Sequence, residues 1–161
     1  NYPILANAGI EIDFDFSALK PFEEAPLRVQ PKINNQVALV KLFPGISQAF
    51  LQCVLTNPEI KIIVIESFGA GNMPTYPWFI KLLEQAINRG KIILNITQCN
   101  TGTVTHGLYE TSSFMDKIGV VSGKDLTTEA AITKAMFLLG NYPLNEVSKL
   151  LSTNLYGEME S

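Results

Sequence analysis

The stretch KIIVIESFGAGNMP at residues 61–74 decides the fold of this 161-residue chain. It opens with an unbroken apolar run and then turns through Gly69 and Gly71 to Pro74. An apolar run that does not alternate with polar residues is typical of a strand buried on both faces, as in parallel sheets covered by helices. The sequence therefore predicts a buried strand that ends in a glycine-rich loop.

The same unit recurs on both sides of this stretch. Short apolar runs alternate with segments whose apolar residues fall at helical spacing, and turn residues separate the two kinds of segment. Thr127 is placed to cap the helix that follows the last run. The predicted strands cover residues 37–42, 60–65, 91–96 and 119–121, and the predicted helices cover 46–57, 79–87, a segment after Thr127, and 145–154.

This alternation predicts an α/β fold. We expect a small, doubly wound, flavodoxin-like parallel sheet of about four strands flanked by helices in a Rossmann-like three-layer arrangement. Right-handed crossovers favour the spatial order 2-1-3-4, with a switch point between the first and third strands.

The α/β pattern predicts a domain over residues 36–161. Residues 1–35 do not fit it, and the alternation EIDFDF at 11–16 favours a linker from an inter-domain region with one edge strand. A plain N-terminal extension packed on the domain is the alternative. Because the chain begins at Asn1 without a methionine, a basic region or a signal-type apolar stretch, we expect it to be part of a longer protein.

Composition excludes several classes of partner. Hydrophobic residues make up 47% and charged residues 17%, which is typical of a packed globular domain. A net charge of −3 gives no electrostatic attraction for nucleic acid, and no apolar run is long enough to span a membrane. One histidine and two distant cysteines cannot supply a zinc tetrad, so we expect no metal.

The loops that follow the predicted strands hold the candidate chemistry, because ligands of open parallel sheets bind at the carboxyl ends of the strands. The glycines of 67–74 do not complete the dinucleotide fingerprint, since its third glycine would fall at Asn72 or beyond and Pro74 follows. We therefore expect no cofactor. The Asn72 amide can both donate and accept hydrogen bonds to a ligand.

Hydroxyl, amide and thiol groups are concentrated in the loop after the third predicted strand, around Thr97 and Cys99. A polar turn that covers the end of the sheet is the structural alternative. Nucleophilic catalysis by Cys99 with His106 as base is disfavoured, because the spacing implies no activating geometry and no orienting acid. His106 is better interpreted as a surface loop residue.

Three segments together resemble one known family. SFGAGNMP at 67–74, NITQC at 95–99 and GVVSGKDLTTEA at 119–130 follow each other as in the C-terminal domain of bacterial cytoplasmic, type I L-asparaginases. Residues 2–5 and 37–45 also resemble the start of that domain, so the resemblance covers nearly the whole chain.

The resemblance implies an amidohydrolase that converts L-asparagine to L-aspartate and ammonia. In that family a larger N-terminal domain supplies the threonine nucleophile and a Thr-Lys-Asp group. No T-G-G-T or T-D-T segment occurs in the 161 residues. We therefore expect no catalytic residue in this chain, which would be inactive alone.

The resemblance also implies a cytoplasmic homo-oligomer, a dimer or tetramer, in which this domain completes a neighbouring subunit's active site through Asn72. A self-association face is expected near the ends of the strands. Met73, Tyr76 and Trp78 are the candidates for apolar surface there.

A second, regulatory asparagine site is implied near Ser67, Thr97 and Cys99. Relatives often place arginine just before the serine, whereas this chain has Glu66. An arginine would bind a ligand carboxylate with two hydrogen bonds, and a glutamate would repel it.

Two alternatives remain. One is the asparaginase-like subunit of a tRNA-dependent amidotransferase, although Asn72, Met73 and Pro74 resemble the asparaginases more closely. The other is a non-catalytic flavodoxin-like binding module.

Overall fold

The computed structural model describes residues 4–17, 26–99, 102–104 and 110–160, the last range without the side chains of 110–113. Its main sheet has four parallel strands in the order β3-β4-β5-β6, and β1 and β2 form a separate antiparallel pair. The strands are β1 (Ala6–Ala8), β2 (Ile12–Phe14), β3 (Val37–Lys41), β4 (Ile62–Ser67), β5 (Ile92–Thr97) and β6 (Val121–Ser122). The helices are α1 (Gln48–Thr56), α2 (Pro77–Asn88), α3 (Glu110–Lys117), α4 (Thr128–Asn141) and α5 (Leu144–Leu151).

Helices cover both faces of the main sheet. Every residue of β4 and β5 is buried, as their apolar composition predicts. Helices α1 and α2 pack on one face through residues such as Leu51 and Phe79, and Met115 of α3 joins the same core. Helices α4 and α5 pack on the other face through residues such as Ala135 and Val147. The predicted fold class, an α/β sheet between two helical layers, is confirmed.

The predicted strand order is wrong. The order 2-1-3-4 requires the chain to reverse direction across the sheet, whereas the four strands lie in the order in which they occur in the sequence. Each connection therefore moves one strand further, which leaves α1, α2 and α3 on the same face. Because α4 and α5 follow the last strand and cover the opposite face, both faces are buried without a reversal.

The N-terminal part differs from the single expected edge strand. β1 and β2 pair with each other, with Ala6 opposite Phe14, and form no part of the main sheet. Further on, the backbone N–H of Asn34 donates to the carbonyl of Met136 at 3.0 Å, so this extended segment lies along α4. The division into a linker over 1–35 and a domain over 36–161 stays a prediction.

Candidate functional site

The carboxyl edge of the sheet holds two cavities. One, of about 320 Å³, lies between the ends of β3, β4 and β5 and the start of α4, and its lining is polar. The other, of about 400 Å³, lies between the loops that precede α1 and α2, and aromatic and aliphatic side chains line it. We call them the polar cavity and the apolar cavity. The polar cavity is lined by Lys41, Glu66, Thr97, Gln98, Cys99, Leu126, Thr127, Thr128 and Glu129.

Glu66 is the central charged group of the polar cavity. Glu66 is 7% exposed, and one of its carboxylate oxygens accepts a hydrogen bond from the Thr128 hydroxyl. The other oxygen lies 3.4 Å from the ammonium of Lys41, which is Glu66's register partner on β3 and is itself mostly exposed. A buried carboxylate needs such partners, because desolvation disfavours its charged form. The polar cavity therefore presents a fixed negative charge, partly offset by Lys41.

Gln98 joins three strands at this edge. Its amide N–H₂ donates to the carbonyl of Leu42 at 2.7 Å and to the carbonyl of Glu66 at 2.9 Å. These two carbonyls lie at the ends of β3 and β4, where the regular ladder stops. Sequence reasoning missed this role, although an amide directly after a buried strand was the available signal.

The three residues of the implied regulatory site are not equally placed. Thr97 and Cys99 both line the polar cavity, and the Thr97 hydroxyl accepts from the Cys99 N–H at 3.0 Å while it donates to the Gly69 carbonyl. Ser67 is fully buried and its hydroxyl donates to the Ile96 carbonyl at 3.0 Å, so it does not line the cavity. The structure therefore brings together Thr97, Cys99 and Glu66, and places Ser67 in the sheet.

Asn72 belongs to a tight loop directly after β4. Its backbone N–H donates to the Phe68 carbonyl at 2.8 Å, and its carbonyl accepts from the Phe68 N–H at 2.9 Å. Asn95, buried in β5, donates its side-chain N–H₂ to the Gly71 carbonyl at 3.0 Å, while its side-chain oxygen has no partner in the described part of the chain. Asn72 is half-buried and lines neither the polar nor the apolar cavity.

Of the three residues expected to supply apolar surface for self-association, Met73, Tyr76 and Trp78, one is misplaced. Met73 lines the apolar cavity but is 5% exposed and belongs to the core, so it is a wrong candidate for free apolar surface. Trp78 is half-buried and stacks on Tyr76, with ring centroids 5.9 Å apart. Tyr76 is the exposed member of the three.

Other candidate residues lie elsewhere or are not described. His106 falls outside the described residues. Thr127 is the N-cap of α4 as predicted, and its hydroxyl accepts from the backbone N–H of Ala130 at 3.2 Å.

The described residues show neither a metal centre nor a membrane span. Within residues 4–17, 26–99, 102–104 and 110–160, no group of three acidic, histidine or cysteine side chains is arranged to hold a metal ion. Over the same residues no helix has the length and apolar character required to span a membrane.

The fold and the site define the class of this protein. It is a parallel α/β domain with two cavities at the carboxyl edge of its sheet. Residues 36–150 match the family described as Glutaminase/Asparaginase C-terminal domain. The chain belongs to this family.

Individual relatives agree with the family match. The chain is 36% identical over 160 residues to L-asparaginase 1 of Escherichia coli K12, which covers 99% of this chain and 47% of that protein. It is 35% identical over 150 residues to one of the subunits of the glutamyl-tRNA(Gln) amidotransferase of Pyrococcus abyssi, covering 92% of this chain and 34% of that protein.

A solved structure has the same fold. The crystal structure of L-asparaginase I from Vibrio cholerae superposes with a TM-score of 0.88 at 34% identity, over all of this chain and 49% of that one. The chain thus spans about half the length of these two asparaginases.

Proposed function

We propose that this chain is the C-terminal half of an L-asparaginase, which hydrolyses L-asparagine to L-aspartate and ammonia. The observation that supports this most is the 36% identity to L-asparaginase 1 of Escherichia coli, which extends over 99% of the chain. In this proposal the catalytic threonine belongs to another domain. The present chain closes a neighbouring subunit's active site and helps to hold a dimer or tetramer together in the cytoplasm.

The proposed contribution of this chain to the active site is Asn72. An amide has no usable pKa near neutral pH, so its role is to orient the substrate's amino or carboxylate group by hydrogen bonds. The double hydrogen bond between Phe68 and Asn72 and the anchor from Asn95 fix the backbone from which this side chain projects. A rigid loop of this kind is suited to hold a positioning group.

Substitution of Asn72 in the intact protein tests this proposal. We expect Asn72→Ala to lower kcat/KM for L-asparagine by about ten- to a hundredfold, the equivalent of about 1–3 kcal/mol of lost hydrogen bonding. Asn88→Ala, at the exposed end of α2, is the matched control and should leave kcat/KM unchanged. The 161-residue chain alone should release no ammonia above a blank.

Two results would contradict these expectations. Activity of the chain alone would contradict the proposal that another domain supplies the nucleophile. A loss of thermal stability in Asn72→Ala with kcat/KM unchanged in the folded fraction would leave Asn72 as a turn residue only.

For the polar cavity we propose a regulatory role, with Thr97 and Cys99 in its lining and Ser67 as a buried support beneath it. The Glu66 carboxylate distinguishes this cavity from one built to bind the carboxylate of a free amino acid. We therefore propose that L-asparagine binds there weakly in the natural protein.

The identity to the amidotransferase subunit supports a second candidate function, amide hydrolysis coupled to a tRNA-bound substrate. The intact protein would then release ammonia from L-asparagine or L-glutamine faster when the charged tRNA is present. An unchanged rate with tRNA added favours the asparaginase.

A further inference from the structure

A third cavity, of about 330 Å³, lies at the amino edge of the sheet, at the opposite end from the polar and apolar cavities. It is bounded by the ends of α1 and α2 and by the residues that precede β4 and β5. Its volume is at the small end of the range for ligand pockets. Nothing in the proposed asparaginase function uses this end of the domain.

Three cations line this cavity, namely Lys61, Arg89 and Lys91. Within the described part of the chain, none of them forms an ion pair with a carboxylate. Lys91 is 8% exposed, and its ammonium donates to the carbonyls of Asn57 and Ile60. The side chains of Lys61 and Arg89 have no such partners among the residues that the structure describes, and they are more accessible.

The three positive charges act on each other. Burial lowers the pKa of Lys91, and the charges of Lys61 and Arg89 lower it further. Like charges that share a site without a counter-ion disfavour one another. A negatively charged ligand would relieve this repulsion.

The positive character of the cavity comes from these side chains. The start of α5 reaches the cavity through Leu144, and the carboxyl ends of α1 and α2 lie there too. The partial charges of these helix ends are opposite in sign, and Glu146 in the first turn of α5 is itself acidic. Neither Glu146 nor Glu59, the acidic residues next to the lining in the sequence, is part of the lining.

We propose that this cavity binds a phosphate group, either as inorganic phosphate or as the phosphate of a small ester. The Arg89 guanidinium is suited to donate hydrogen bonds to two phosphate oxygens at once, and the Lys61 ammonium supplies a further charge-assisted hydrogen bond. Lys91 stays bonded to its two carbonyls and contributes its charge. The site is independent of the asparaginase reaction, which the proposal places at the other end of the sheet.

Calorimetric titration of the intact protein tests the proposal, with inorganic phosphate in one arm and AMP in the other. Ionic strength is held constant, so that screening does not change during the titration. We expect saturable binding that weakens about tenfold in Lys61→Met and in Arg89→Met, and further in the double variant. Lys81→Met, on the exposed face of α2 and outside the cavity, is the matched control and should bind as the natural protein does.

The two arms separate the sources of the phosphate group. Equal affinity for both ligands identifies the anion alone as the ligand, and tighter binding of AMP identifies a phosphate ester. The absence of saturable binding in both arms would overturn the proposal. So would binding that Lys61→Met, Arg89→Met and Lys81→Met all leave unchanged, provided that thermal melts show the variants folded.

Discussion

Glu66 illustrates how one side chain sets the ligand preference of a cavity. Its carboxylate is held by the Thr128 hydroxyl and by Lys41, so it keeps a fixed position in the polar cavity. A ligand carboxylate that approached Lys41 would meet this second negative charge at short range. Like charges brought together in a desolvated site cost several kcal/mol.

Neutralising this residue should therefore improve asparagine binding in the polar cavity. We expect Glu66→Gln to increase the affinity for a second, non-catalytic L-asparagine by about tenfold or more. The glutamine can still accept the hydrogen bond from Thr128, and without the carboxylate Lys41 is available to pair with the ligand. Calorimetry on the intact protein measures the affinity and the number of sites. Glu129→Gln, an exposed carboxylate of the same lining, should change the affinity less. Equal affinity in the natural protein and Glu66→Gln would contradict this account.

A second ion pair, between the buried Lys134 and the partly buried Glu158, holds the end of the chain on α4. The Lys134 ammonium lies 2.7 Å from Glu158 and donates to the Thr153 carbonyl at 2.6 Å. Burial raises the pKa of Glu158, but the hydrogen bonds from Lys134 and from the backbone N–H groups of Tyr156 and Leu155 outweigh it and hold the pKa at about 2. The pair therefore stabilises the fold mainly while Glu158 is charged.

The depressed pKa of Glu158 makes stability depend on pH in a defined window. The stabilising contribution of Glu158 is full above its unfolded pKa, about 4.5, and is lost as the pH falls toward its folded pKa, about 2. We expect Glu158→Gln to lower the free energy of unfolding at neutral pH by about 2 kcal/mol. Between pH 5 and 2 the variant should lose less stability than the natural protein does. Urea melts across this pH range measure the difference. Parallel pH profiles for both proteins would refute it, and Glu160→Gln, on the same tail but exposed, is the control.

At the scale of elements, the loop after β4 depends on a glycine. Gly71 has a φ of +101°, and a Cβ at this position would lie 2.6 Å from a methyl group of Val104. Gly90, after α2, has a φ of +82°, but a Cβ there would meet no atom within 4 Å. An alanine at either position would therefore be held in a strained backbone conformation, and only an alanine at Gly71 would also clash with a neighbouring side chain.

This contrast gives a matched pair of variants. We expect Gly90→Ala to lower the free energy of unfolding by about 1 kcal/mol, and Gly71→Ala to lower it by at least about 2 kcal/mol, because Val104 or the loop must also move. Thermal and urea melts compare the two. In the intact protein Gly71→Ala should also reduce activity, since it displaces the backbone next to Asn72. Equal losses of stability in both variants would show that the clash is relieved without cost.

The elements were predictable because their signals are local. Apolar runs and helical spacing placed β3, β4, β5, α1, α2, α4 and α5 within a few residues of their observed bounds. The strand order was not predictable in the same way, since it depends on which helices cover the second face. Helix α3 was missed because its segment is mostly polar. The alternation EIDFDF predicted one strand near the N-terminus, but its partner β1 is the short segment ANA, which shows no such alternation.

The candidate site was predictable only in part, for a related reason. Residues that follow buried strands, such as Thr97 and Cys99, were expected at the carboxyl edge, and they lie there. The role of Gln98, which donates to the Glu66 carbonyl, depends on β5 neighbouring β4, whereas the pairing of Lys41 with Glu66 needs only β3 beside β4. The mistaken strand order kept the first two strands adjacent but separated the second from the third, so it could not have placed Gln98.

At the scale of the whole molecule, the N-terminal hairpin leaves unusual apolar surface. Ile10, Ile12, Phe14 and Phe16 are all at least half exposed, within a segment of seven residues. β1 and β2 have only three residues each, and a two-stranded pair of this size is marginal without further packing. An exposed apolar group of this kind marks an interaction surface in a soluble protein.

We therefore expect the 161-residue chain alone to self-associate through this hairpin. Static light scattering should show an average mass that rises with concentration, and Ile12→Thr with Phe14→Thr should restore the monomer mass, because threonine keeps the β propensity and removes the apolar surface. The control is Tyr76→Thr, which removes exposed aromatic surface at the carboxyl edge and should leave the association in place. If Tyr76→Thr abolishes the association and the hairpin variant does not, the association face lies at the ends of the strands instead. In the intact protein we expect the proposed second half to cover the hairpin. The double substitution should then lower the thermal stability of the intact protein and leave its oligomeric state unchanged.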